Sequence, residues 1–183
     1  MLILASASPR RRELLSLAKL DFSVCPAKSE INPQRTLPPA EYAVQSALCK
    51  AREVAETHKD DTVLGADTVV FANGEIMGKP KTKAQAKEML RALSGKAHKV
   101  CTGYAIIKSG VEYTGVSVTD VYFRCLTECE IEDYVATGEP MDKAGAYGIQ
   151  GGAAVFVERI DGDYFNVVGL PLCEIYCKLK EIM

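Results

Sequence analysis

LILASASPRRRELL, residues 2–15, predicts the strand–turn–helix unit on which the fold is built. Leu2, Ile3 and Leu4 are typical of a short buried strand. Ser8 is a natural N-cap and Pro9 a natural first helical residue, since proline has no N–H to leave unpaired. Three arginines then fall in the first helical turn, where the helix dipole disfavours cations. A helix N-terminus binds anions, so these arginines indicate a phosphate site; the alternative is a solvated basic turn.

Size and charge exclude several classes of protein. The chain has 183 residues, 48% of them hydrophobic and 25% charged, with a net charge of −2. We expect one domain over residues 1–183, with no affinity for nucleic acid or for a membrane surface. The first residues are too short an apolar run for a signal peptide, so we expect a cytoplasmic protein. Seven scattered cysteines, without a paired Cys-x-x-Cys spacing, favour neither a disulfide framework nor zinc.

The order of predicted elements indicates an α/β fold. Strands are predicted over residues 62–71, 100–107, 111–124, 153–160 and 164–168. Helices are predicted over residues 40–57, from Thr82 to Ser94-Gly95, from Thr127 to Gly138, and from Pro171 to Lys180. This mixture of crossover helices and long hairpins predicts a mixed, twisted sheet covered by helices on both faces.

Asp67 is the first candidate for chemistry. It lies inside the apolar strand TVLGADTVVF, where a carboxylate is costly to bury unless it is paired, hydrogen-bonded or bound to a metal. It either activates water or holds a metal ion, or it is a structural carboxylate bonded to backbone N–H groups at a strand end. Lys79 is read in the same two ways, as a phosphate ligand or as an ordinary loop lysine. Lys50 lies on the small-residue face of a helix, where its ammonium can reach solvent.

The segment GEPMDKAGAYGIQGG, residues 138–152, differs from the rest of the chain. It contains five glycines and has neither helical nor strand periodicity. Loops of this length are usually functional, and glycines let the backbone approach a ligand. Tyr147 and Gln150 offer a ring face and an amide to such a ligand, whereas a flexible surface loop would be richer in serine and lysine.

These residues together point to metal-assisted attack of water on a nucleoside polyphosphate. Arginines and lysines suit a polyphosphate, and carboxylates tolerate one nearby when a divalent cation lies between them. Asp67, with Glu30 as a companion, could hold such a cation or deprotonate a water molecule. The chain has no Walker-type phosphate loop and no dinucleotide fingerprint.

Six motifs follow one another in the order seen in the Maf family: SASPRR (6–11), GADT (65–68), GKP (78–80), LSGKAH (93–98), GEPMDKAGAYGIQG (138–151) and GDYFNVVGLP (162–171). The chain resembles that family over essentially its whole length. The resemblance implies a fold similar to the inosine triphosphate pyrophosphatases, with a mixed sheet and a central cleft. It also implies hydrolysis of a nucleoside triphosphate to the monophosphate and pyrophosphate, with Mg²⁺ or Mn²⁺ as the cofactor.

The resemblance assigns expected roles to single residues. Asp67 would activate water; Arg10, Thr68 and Gln150 would govern substrate selectivity. The residues expected to bind phosphate are Ser8, Arg11, Lys50 and Lys79. The residues expected to bind the metal ion are Glu30 and Asp67.

The motifs around Asp67 and Gln150 resemble the branch of the family that acts on dTTP and UTP rather than on 7-methyl-GTP. A homodimer is common in the family. The competing hypothesis is a regulator of cell division that binds nucleotides without turnover, since the family name is attached to inhibition of septum formation.

Overall fold

The computed structural model describes residues 1–28 and 37–183. Its strands are β1 (Leu2–Leu4), β2 (Phe22–Val24), β3 (Thr62–Ala72), β4 (Glu75–Met77), β5 (Ala97–Lys108), β6 (Val111–Phe123) and β7 (Val157–Asp161). Its α-helices are α1 (Pro9–Leu17), α2 (Pro39–Ala55), α3 (Lys83–Leu93), α4 (Glu128–Ala136), α5 (Tyr164–Val168) and α6 (Leu172–Ile182). In the described part of the chain, no helix is long and apolar enough to cross a membrane.

The strands form one seven-stranded sheet in the order β2-β1-β3-β5-β6-β7, with β4 paired to β3. Strand β1 runs parallel to both β2 and β3, whereas β4 is antiparallel to β3 and β7 is antiparallel to β6. The sheet is therefore mixed, and the predicted fold class is confirmed.

The chain forms two compact units. The first comprises Met1–Thr68, Thr102–Ser117 and Gly169–Met183, and the second Val69–Cys101 and Val118–Val168. Each has its own apolar core: Ile3, Ala47, Ala51, Val63 and Ala105 in the first, and Leu90, Leu93, Phe123, Ile131 and Phe156 in the second. A single domain over residues 1–183 stays a prediction.

Helices cover both faces of the sheet within the first unit. A Cβ at Gly103 of β5 would lie 2.3 Å from the backbone of α2, so α2 packs directly on that face. Successive strand residues point to opposite faces, so Tyr104 faces away from α2. The ring of Tyr104 packs against Gly115 of β6. Tyr113 shares that face of β6, and its ring lies 5.8 Å from Lys178 of α6.

The structure differs from the prediction at four places. Residues 164–168 were predicted as a strand from their aromatic and β-branched composition, but they form helix α5. The Asp163 carboxylate accepts a hydrogen bond from the Phe165 N–H at 2.8 Å, which initiates a helix. Residues 153–160 begin as a 3₁₀ helix (Gly152–Phe156) before β7, and strand β2 was not predicted. The segment 138–152 contains 3₁₀ turns at Glu139–Asp142 and Ala144–Ala146.

Candidate active site

The N-terminus of α1 forms as the sequence predicts. Ser8 is the N-cap, with the Arg11 N–H donating to its Oγ at 3.5 Å, and Pro9 is the first helical residue. The Ser8 N–H in turn donates to Ser6 Oγ at 3.2 Å. Arg10 is half-buried, whereas Arg12 is exposed. The helix thus presents its first turn, with the arginines, at the end where an anion is favoured.

Arg11 is fixed by three neutral oxygen acceptors. Its Nε donates to the Gly169 carbonyl at 2.8 Å, Nη1 to Ser6 Oγ at 3.2 Å, and Nη2 to Thr68 Oγ1 at 3.0 Å. Burial lowers the pKa of the Arg11 guanidinium from its ordinary value, and the nearby charge of Asp67 acts in the opposite direction. The guanidinium has five N–H groups, so these contacts orient it and leave two N–H groups that an anion can use.

Thr68 links Arg11 to the neighbouring strand. Its Oγ1 lies 2.9 Å from Thr102 Oγ1 and 3.5 Å from the Gly169 carbonyl oxygen. Thr102 is fully buried on β5. Ser6 and Thr102 have no role predicted from the sequence, although a hydroxyl inside the otherwise apolar stretch 100–107 is a signal for Thr102. Thr68, expected to govern selectivity, accepts a hydrogen bond from Arg11 of α1.

Asp67 forms an ion pair with Lys50, in which the Lys50 ammonium donates to Asp67 Oδ1. The side chains are 19% exposed for Asp67 and 24% for Lys50, so solvent reaches both groups. Across residues 1–28 and 37–183, Lys50 is the one residue that hydrogen-bonds the Asp67 carboxylate. Within these described residues, the second oxygen, Oδ2, accepts no hydrogen bond.

A glycine explains why Lys50 reaches Asp67. A Cβ at Gly65 would lie 2.4 Å from the Ala47 carbonyl oxygen and 3.0 Å from Ala51 Cβ, so α2 packs directly on β3 at this point. Gly65 and Asp67 share one face of the strand. Lys50 belongs to the same turn of α2 as Ala47 and Ala51, which brings its side chain to the carboxylate.

Two predicted site residues belong to the second unit. Lys79 is exposed after β4, and Gln150 is exposed in the segment 138–152. Backbone and side-chain contacts hold that segment: the Gly145 N–H donates to the Gly78 carbonyl at 3.1 Å, and Lys143 donates to Asp142 Oδ1 at 2.7 Å. It is a structured turn that carries an exposed amide.

Of the two expected metal ligands, the structure describes Asp67 but not Glu30. Glu30 lies outside the described residues, so its expected role as a companion of Asp67 stays a prediction. Among residues 1–28 and 37–183, no group of three or more histidine, cysteine, aspartate or glutamate side chains is arranged to hold a metal ion. All seven cysteines are free thiols.

The family model described as Maf-like protein matches residues 1–182. The chain belongs to the Maf family. This Maf-family chain is 54% identical over 182 residues to a dTTP/UTP pyrophosphatase of Thermococcus gammatolerans, covering 100% of the chain and 96% of that protein. It is 51% identical over 179 residues to a dTTP/UTP pyrophosphatase of Bacillus cytotoxicus, covering 98% of the chain and 94% of that protein.

A solved structure shares the fold of this Maf-family chain. The structure of a HAM1 protein from Coxiella burnetii aligns with a TM-score of 0.56 at 17% identity, covering 98% of each chain. The likeness is one of fold, and it agrees with the mixed α/β architecture that the sequence predicts.

Proposed function

We propose that this protein hydrolyses dTTP and UTP to the nucleoside monophosphate and pyrophosphate. The observation that carries the proposal is the setting of Arg11. Arg11 is a half-buried cation at a helix N-terminus, and its three hydrogen-bond acceptors are the neutral oxygens of Gly169, Ser6 and Thr68. No carboxylate hydrogen-bonds this guanidinium among the described residues, and a phosphate would accept its remaining N–H groups in a geometry that suits it. Relatives about half identical over nearly their full length carry the name dTTP/UTP pyrophosphatase.

The triphosphate would lie at the N-terminus of α1, because the amide dipoles and Arg11 both favour negative charge there. Asp67 then acts as the general base. Its Oδ2 accepts a proton from water while Lys50 holds Oδ1. The water oxygen bonds to the α-phosphorus, and the bond from that phosphorus to the α–β bridging oxygen breaks. The bridging oxygen leaves with pyrophosphate.

A divalent cation is part of the proposal. Mg²⁺ is commonly held by one or two carboxylates together with substrate phosphates, so Asp67 with the triphosphate fits its ligand preference, and Glu30 is the expected second carboxylate. When bound, such a cation would neutralise charge on the phosphates and lower the pKa of a bound water. Lys50 would stay on Oδ1 and keep the carboxylate oriented.

Selectivity for pyrimidines is proposed to rest on Gln150 and on Arg10. The amide of Gln150 both donates and accepts, which matches the carbonyl and N3–H edge of thymine or uracil. Lys79 is proposed as a further phosphate contact. Free thiols throughout the chain suit a reducing compartment, so a cytoplasmic location belongs to the proposal. A homodimer stays an expectation of the family resemblance.

The experiment is an assay of pyrophosphate release by the purified protein, with Mg²⁺ or Mn²⁺, on dTTP, UTP, dATP and GTP. We expect pyrophosphate and the monophosphate in equal amounts, with dTTP and UTP preferred over both purines. Release of inorganic phosphate and a nucleoside diphosphate would contradict the proposed bond cleavage. Binding of dTTP without turnover would instead support the nucleotide-binding regulator.

A further inference from the structure

A buried histidine and a buried tyrosine anchor the segment that carries Gln150. His98 Nε2 lies 2.7 Å from the Tyr147 hydroxyl. Both residues are buried, His98 with 3% and Tyr147 with 5% of its surface exposed. Their rings meet edge to face at 5.3 Å, and both pack in the same way against Phe123. Burial lowers the pKa of His98 to about 4, so the imidazole is neutral at pH 7. Neither group has a part in the hydrolysis described above.

The backbone entering this anchor is strained. Gly145 and Ala146 both adopt left-handed conformations, with φ of 69° and 61°. Glycine tolerates this conformation, but alanine does so only where surrounding contacts enforce it. Ala146 is fully buried, and the space beside Gly145 is filled by Val70. The chain is therefore held in one conformation immediately before Tyr147.

A carboxylate holds the other end of the same turn. Glu139 Oε2 accepts the Gly152 N–H at 3.0 Å, and Glu139 Oε1 accepts the Tyr134 hydroxyl at 3.1 Å. A Cβ at Gly151 would overlap the Glu139 carboxylate, so a side chain there would displace it from this position. Between the two anchors, Ile149 is buried and Gln150 is exposed.

We propose that His98 and Glu139 are positioning residues that fix the turn from Tyr147 to Gly152, so that the Gln150 amide is presented to the base in one orientation. This inference rests on the proposed function, in which Gln150 reads the pyrimidine edge. Discrimination by hydrogen bonds depends on the recognising group being held in place, because a mobile amide can adapt to a wrong base. The two anchors supply that constraint from both sides of Gln150.

The test is a double-variant cycle on selectivity, measured as the ratio of kcat/KM for dTTP to kcat/KM for dATP. Tyr147→Phe keeps the ring and removes the hydroxyl, and we expect it to lower this ratio about three- to tenfold, the scale of one hydrogen bond. In a Gln150→Ala background the same change is expected to leave the ratio unaltered, because the residue on which it acts is gone. Glu139→Gln, which retains an acceptor oxygen, is expected to preserve the ratio, whereas Glu139→Ala lowers it.

Two results would overturn the inference. One is a loss in Tyr147→Phe that is equal for dTTP and dATP, which is what a purely structural role produces. The other is an undiminished effect of Tyr147→Phe in the Gln150→Ala background. Tyr113→Phe, in the first unit, is the matched control for loss of a tyrosine hydroxyl and is expected to leave the ratio unchanged.

Amide hydrogen exchange separates this inference from the proposed function. Faster exchange at residues 148–151 in Tyr147→Phe, with strand β3 unaffected, supports the anchor whether or not the protein turns over a nucleotide. Unchanged exchange at residues 148–151 contradicts it. A wild-type protein without turnover would therefore remove the proposed function and still leave the anchor to be judged.

Discussion

The Lys50 ammonium donates a hydrogen bond to Oδ1 of Asp67, although the two residues lie 17 positions apart on a helix and a strand. The pair is partly buried, so its attraction is screened less than that of a surface ion pair. A carboxylate with one oxygen hydrogen-bonded to a cation has a fixed orientation. The position of its other oxygen is therefore fixed as well. This pair is the centre of the proposed chemistry.

Lys50→Met should lower kcat about 10- to 100-fold, because Asp67 loses the group that orients it. The change also leaves a partly buried carboxylate without its partner, so thermal unfolding is measured alongside turnover of dTTP. Lys59→Met is the matched control, since Lys59 is exposed after α2. Equal activity in the two variants would exclude an orienting role for Lys50.

Arg11→Ala should weaken dTTP binding about tenfold or more, the scale of a charge-assisted hydrogen bond, and should also lower Tm. The variant loses both the phosphate contact and the bonds to Gly169, Ser6 and Thr68. Arg12→Ala, one position further on and exposed, should bind dTTP like the wild type. Titration calorimetry with dTTP compares the two, and similar dissociation constants would argue against Arg11 as the phosphate ligand.

Gly65→Ala should destabilise the protein by about 1–3 kcal/mol, because the new methyl group overlaps the backbone of α2 at Ala47. A shift of α2 also displaces Lys50, so turnover should fall with stability. A Cβ at Gly78 meets nothing within 4 Å, which makes Gly78→Ala the control expected to keep the wild-type free energy of unfolding. Urea unfolding of both variants decides the matter; wild-type stability in Gly65→Ala would refute the close packing.

His98 predicts a stability that falls in mild acid. Burial lowers its pKa from 6.5 to about 4, so the unfolded chain binds more protons than the folded one between these values. The neutral, buried His98 therefore contributes to the free energy of unfolding in full above pH 6.5. Up to about 3 kcal/mol of this contribution is lost as the pH falls through 4. Urea unfolding at pH 7.5, 6 and 5 should show this slope, and His98→Gln should flatten it. His58→Gln is the control. If it flattens the pH dependence of stability as much as His98→Gln does, His98 is not the cause of that dependence.

Local patterns were sufficient for much of the fold. The strand at Leu2–Leu4, the Ser8 cap and the helix start at Thr127 all form as predicted, since each depends on residues close together in the sequence. Helix α5 was mistaken for a strand because its aromatic and β-branched residues outweighed the cap at Asp163. Strand β2 was missed because it is an edge strand whose residues are half-buried or exposed, so it lacks the apolar run that marks Leu2–Leu4.

The sequence was sufficient to predict which residues belong to the candidate site, but not which of them contact one another. A carboxylate inside an apolar strand marked Asp67, and the arginines marked the start of α1. Its partnership with Lys50 depends on α2 packing on Gly65, which no local pattern reveals. The anchoring of residues 138–152 by His98 and Glu139 is likewise long-range.

The most direct test is pyrophosphate release from saturating dTTP by the wild type and by Asp67→Asn, with binding of dTTP measured on both. Asparagine keeps the shape of the side chain but cannot act as a general base at neutral pH. We predict that Asp67→Asn keeps dTTP binding and releases pyrophosphate at least ~10²-fold more slowly, the scale of a removed general base. Release at the wild-type rate by Asp67→Asn would contradict the assignment of Asp67 as the base.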